Sequence, residues 1–154
     1  MSFSTEQKQK ALEIANRKIS RLRRGATGYK YCISDCVTLF YTYDAELRGG
    51  SSPLQQLVPI YKDQPDFFRK LIRKGFNSPQ AAVLSNGYSL VTDELQLGDV
   101  ALFTYPMLKH QLSIAIFDGE NWKSSSDSPK HLTLSVELVA KTTIAIMRPH
   151  NEII

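Results

Sequence analysis

Two segments in the second half of the chain, Asp99-Val-Ala-Leu-Phe-Thr-Tyr105 and Gln111-Leu-Ser-Ile-Ala-Ile-Phe117, decide the fold. Both are short, rich in apolar and β-branched residues and alternate with a period of two, the pattern of strands that bury their side chains. The same pattern predicts strands at Asn121–Ser125, Leu132–Val136 and Thr142–Arg148, with Asp118 and Gly119 forming a turn. Before Gly87 the period is about 3.6 instead. Ser4 followed by Gln7 is a capping box, and Ala11, Leu12, Ala15, Ile19 and Leu22 recur at helical spacing, so a helix is expected over Thr5–Arg24. Ser34 and Asp35 offer N-cap side chains to a second helix that ends at Gly49 and Gly50. Pro65 with Asp66 opens a third, closed by Gly75, and Ser78 with Pro79 a short fourth, ended by Asn86 and Gly87. Helices followed by strands imply an α+β fold in which N-terminal helices pack on a five-stranded antiparallel sheet.

Composition bounds the functional classes. The chain has 154 residues, 42% of them hydrophobic and 22% charged, which is the size and make-up of one globular domain. No run of about 18 apolar residues is present and the polar start has no signal-peptide character, so neither a membrane span nor export by a leader is expected. The formal charge of +4 is too mild to point to nucleic acid. Its distribution is uneven: the first thirty residues hold eight basic and two acidic groups, net +6, and the remainder is −2. Residues 1–25 therefore read as a basic helix appended to the domain. It packs through Leu12, Ala15, Ile19 and Leu22, while Lys8, Arg17, Lys18, Arg21 and Arg24 face solvent or a partner such as an acidic protein, nucleic acid or a cell-wall polymer.

The two cysteines, Cys32 and Cys36, form neither a disulfide framework nor a zinc knuckle. Although His110 and His131 bring the paper count of ligands to four, no metal and no cofactor is expected. Cys36 is more telling. At the first turn of a helix, free N–H groups and the helix dipole favour a thiolate, and Cys36 also heads the stripe Phe40, Tyr43, Leu47 that should face the sheet. A small buried hydrophobe is the plainer reading of such a cysteine. Asp35 reads as a cap rather than a catalytic acid. Trp122 and Tyr88, with Tyr29 and Tyr31, either line a saccharide or peptide groove or belong to the core.

The segment Tyr29-Lys-Tyr-Cys-Ile-Ser-Asp-Cys36 resembles the aromatic-x-x-x-x-x-Asp-Cys motif at the nucleophile helix of NlpC-type papain-like cysteine peptidases. These enzymes cleave cell-wall peptides, and the domain also occurs in phage tail-tip proteins. Leu97-Gly-Asp-Val-Ala-Leu-Phe103 resembles that family's Gly-Asp-hydrophobic strand, and Ser113-Ile-Ala-Ile-Phe-Asp-Gly119 its His-Val-Gly-Ile-Tyr-x-Gly strand and turn. The resemblance implies one NlpC-like domain over 1–154, with Cys36 as nucleophile. Ser113 stands where the family has its histidine, and the nearest histidine, His110, lies at an odd offset that points to the other strand face unless a bulge intervenes. The polar residue that orients the family's histidine would fall near Ser124.

The expectation is a phage tail-tip or virion component that uses the fold as a scaffold, with catalysis weakened or lost. Its partners would be other tail proteins, and it would reach the virion after cytoplasmic synthesis. The alternative is an active thiol hydrolase on bacterial peptidoglycan, with Cys36 as nucleophile and His110 as base. A plain interaction module is a third reading.

Overall fold

Six helices and six strands make up the described part of the computed structural model, which covers residues 2–25, 35–104, 112–124 and 132–151. Helix α1 (Thr5–Gly25) begins with the reciprocal hydrogen bonds of a capping box: Ser4 N–H donates to Gln7 Oε1 at 2.8 Å and Gln7 N–H to Ser4 Oγ at 3.1 Å. Helix α2 (Cys36–Leu47) follows its cap Asp35 and stops before Gly49 and Gly50, whose φ values of 87° and 122° end the helical path. Helix α3 (Pro53–Leu57) is an addition to the expected set, capped by Ser52. Helices α4 (Gln64–Arg73) and α5 (Pro79–Leu84) start at Asp63 and Ser78 caps, each with proline in the first turn.

The sheet contains β1 (Tyr88–Leu90), β2 (Val100–Thr104), β3 (Leu112–Phe117), β4 (Trp122–Ser124), β5 (Leu132–Leu134) and β6 (Thr143–Pro149), all pairing antiparallel in the order β1-β6-β2-β3-β4-β5. The five expected strands are joined at the edge by β1, too short to give a period of its own. The expected strand ending at Val136 stops two residues earlier, because Val136 opens the short helix α6 (Val136–Ala140). The Asp118 turn forms as expected: its Oδ1 accepts from the N–H groups of Glu120 and Asn121, and Gly119 takes φ 105°.

Each face of the sheet carries its own core. On one side Val100, Leu102, Ile114, Ile116, Ala145 and Met147 meet α1 and α2. On the other, Ala101, Phe103, Ala115, Phe117, Trp122 and Leu134 meet Val139 of α6. The stripe Cys36, Phe40, Tyr43, Leu47 is buried throughout, while Trp122 and Tyr88 are core residues rather than groove walls. No helix among the described residues is long and apolar enough to cross a membrane.

Helix α1 is corrected in two places. Leu22 does not pack; it is 42% exposed. Lys8 does not face out; it is 4% exposed. Its position explains the second result, since residues 8, 12, 15 and 19 share one helical face. The Lys8 stem lies over Gly98, where a Cβ would come within 2.5 Å of Lys8 Cδ and 2.7 Å of the Tyr43 hydroxyl. Burial holds the Lys8 ammonium below its ordinary pKa, against the opposing pull of the Asp99 carboxylate. Arg17, Lys18 and Arg21 are exposed as expected, with Lys18 reaching Glu46 at 3.1 Å.

Ala11, Leu12, Ala15 and Ile19 are each at most 3% exposed, so α1 belongs to the core that α2 helps to form rather than standing apart from it. Burying Leu12 and Ile19 alone contributes roughly 1.5–3 kcal/mol each. A domain of this size has only about 5–15 kcal/mol to lose. A chain beginning at Ala26 is therefore expected to lose its cooperative urea transition; a truncated chain with native near-ultraviolet circular dichroism would show that the helix is dispensable.

Candidate functional site around Cys36

Cys36 is the first residue of α2, and the reason it sits there is the side chain before it. Asp35 has extended backbone angles (φ −84°, ψ −179°) and its Oδ1 accepts from Thr38 N–H at 2.9 Å and from Thr38 Oγ1 at 2.7 Å. This is an N-cap, as expected. A third donor comes from far away in sequence: the Tyr61 hydroxyl lies 2.7 and 2.6 Å from the two Asp35 oxygens. Tyr61 is itself fixed by an edge contact with Phe67 at 5.2 Å. Tyr41 ties the same connection down by donating to the Val58 carbonyl at 2.9 Å. The α3–α4 connection is thus strapped over the start of α2.

The Cys36 side chain is 8% exposed and packs toward β3, where the backbone N–H of Ile114 approaches the sulfur. That N–H, with those of Cys36 and Val37, favours the thiolate. Burial opposes them and is the larger influence, and the negative charge of Asp35 adds to it, so the thiol is pushed up to about 12. Burial also pushes the Tyr61 hydroxyl up, with Asp35 contributing in the same sense. Burial therefore holds the cysteine protonated, and the cap that positions it acts in the same sense.

The ladder corrects the expected role of position 113. Ser113 pairs with Phe103 and Ile114 with Leu102. Directly paired residues share a face, and Phe103 belongs to the core on the α6 side whereas Leu102, Ile114 and Cys36 belong to the helix side. Ser113 is buried on the far face of the sheet and does not meet Cys36. Ser124 is also accounted for: it is fully buried and its Oγ donates to the Ile114 carbonyl at 2.8 Å. His110 lies outside the described residues, as do Tyr29, Tyr31, Cys32 and His131, so the paper set of metal ligands has only Cys36 on the page. Among the described residues no three His, Cys, Asp or Glu side chains converge on a metal site.

Asp99, in the Gly-Asp segment, has a structural task. It is fully buried, and Arg148 clamps it with Nε on Oδ1 at 2.8 Å and Nη2 on Oδ2 at 3.0 Å. Sequence reasoning missed Tyr61 and Thr38. Thr38 had a signal, three residues after a capping aspartate; Tyr61, twenty-six residues from Asp35, had none. No family model, curated protein or solved structure matches the chain.

Two outcomes follow for stability. Asp35→Ala removes the cap, worth about 0.5–2 kcal/mol, and leaves the buried Tyr61 hydroxyl without its acceptor at a further cost of about 1–3 kcal/mol. A lower urea midpoint is expected, with Asp35→Asn in between; an unchanged midpoint in Asp35→Ala would contradict the account. The second outcome concerns pH. Because the folded Cys36 pKa lies above its ordinary value near 9, this stability is complete below pH 9 and is lost as the pH climbs from 9 toward 12. Tyr43, Tyr61 and Tyr88, all raised, act in the same sense from about pH 10 upward. Alkaline unfolding should begin above pH 9, and later in Cys36→Ala.

Proposed function

We propose that the chain is a phage tail-tip or virion structural component built on an NlpC-like cysteine-peptidase fold, with catalysis weakened or lost. One observation carries the loss of catalysis: Cys36 is buried beside the Asp35 carboxylate, and its thiol is pushed up to about 12. At neutral pH such a thiol is almost wholly protonated. Nucleophilic cysteines work the other way, with a cation or imidazole lowering the pKa. The tail assignment rests on the sequence resemblance.

A second reading, an active thiol hydrolase on cell-wall peptides with Cys36 as nucleophile and His110 as base, draws on the sheet. Ile114, on the helix side, is the β3 residue whose backbone approaches the Cys36 sulfur. Ser113, on the opposite face, does not stand where a base for Cys36 would, so its presence does not count against this reading.

The purified chain is expected to release no peptide from isolated peptidoglycan sacculi, since a buried thiol held protonated is a poor nucleophile. The chain and its Cys36→Ala variant should co-sediment equally with tail particles. Cleavage abolished by both Cys36→Ala and His110→Ala would replace the first reading with the second.

A further inference from the structure

The most unusual exposed surface lies where the connection after α3 passes the end of α4. Ile60 is 69% exposed, with Leu57 and Pro59 beside it, and together they floor a groove of about 300 Å³ whose opposite wall is Lys70, Arg73 and Lys74. Lys70 is engaged, 3.2 Å from Asp66 Oδ2 and donating to the Ile60 carbonyl at 2.7 Å. Arg73 and Lys74 are exposed, and neither is in an ion pair among the described residues. Cations at a helix C-terminus complement the helix dipole. That accounts for their charge but not for the exposed Ile60 that lines the same groove.

We propose that this groove is a docking site for an acidic polypeptide segment that inserts an apolar side chain. The apolar floor offers burial and the two unpaired cations offer charge complementarity along one wall. A concave site of this volume suits one or two side chains, being at the lower end of pocket sizes. A bilayer would instead favour apolar residues projecting beyond their cations. Single-stranded nucleic acid would favour aromatic platforms, and no ring lines the groove among the described residues. None of the exposed cations of α1 lines the groove.

Fluorescence anisotropy of the full chain with the labelled peptide Gly-Asp-Glu-Leu-Leu-Asp-Glu-Gly tests the site. Binding is expected to weaken with added salt. The Asn/Gln and the Ser-for-Leu versions of the peptide should bind at least tenfold more weakly. In the protein, Arg73→Glu with Lys74→Glu, and separately Ile60→Ser, should each weaken binding tenfold or more with circular dichroism unchanged. Arg17→Glu with Arg21→Glu on α1 should leave it unchanged. Any of four results would overturn the proposal: no peptide binding, no effect of the groove variants, equal loss from the α1 pair through diffuse charge, or tighter groove-dependent binding of phosphatidylglycerol vesicles or oligo(dT).

Discussion

A single carboxylate fixes the geometry at the start of α2 and adds to the burial that governs the chemistry there. Asp35 accepts from Thr38 twice and from Tyr61, which fixes the first turn of the helix and pins the α3–α4 connection across it. Hydrogen bonds to a charged acceptor are the strong ones, and the one from Tyr61 is buried. The same negative charge sits one residue from Cys36. A helix N-terminus lowers a thiol pKa through its N–H groups and dipole, yet here the cap brings a full charge of the wrong sign into a dry site. Desolvation is the larger influence, and the charge of Asp35 adds to it. Burial and the cap together thus hold the thiol protonated.

The second constraint is the two-sided sheet. Because both faces of the central strands β2 and β3 are buried, with the helix bundle on one and α6 on the other, their core residues are each committed to one side, and a shift by one position changes their neighbours entirely. This is why Ser113 and Ile114, adjacent in sequence, belong to different environments. What Cys36 meets is decided by the even positions of β3.

Much of this was legible in the sequence, for identifiable reasons. The capping box at Ser4 and Gln7, the Asp35 cap, the stripe below Cys36 and the turn at Asp118 are local, and local chemistry decided them. Strand periods placed β2, β3, β4, β5 and β6 within a few residues. The misses are tertiary. Strand β1 is three residues long and exists through its pairing with β6; α3 is a single capped turn. Lys8 was assigned by its charge although its spacing from Leu12 put it on the buried face, where Gly98 leaves room for its stem and Asp99 supplies the opposing charge. Tyr61 reaches Asp35 across the fold, and nothing in a linear pattern announces that. The buried Asp44–Arg48 pair is similar. Arg48 Nε meets Asp44 Oδ1 at 2.8 Å, and its other nitrogens donate to the carbonyls of Gly87 and His150, joining α2 to both sides of the β1–β6 edge. Breaking one partner of such a pair is costly, which makes it a fixture of the helix–sheet joint rather than a site for chemistry.

The most direct test of the central claim is the alkylation rate of Cys36 by iodoacetamide, measured in a Cys32→Ser background between pH 6 and 9 and compared with the same chain in denaturant. The account predicts that the folded thiol reacts orders of magnitude more slowly than the unfolded one throughout this range, and that Asp35→Asn narrows the gap. A folded rate that exceeds the unfolded rate near neutrality, or that levels off below pH 7 as a preformed thiolate would, contradicts it.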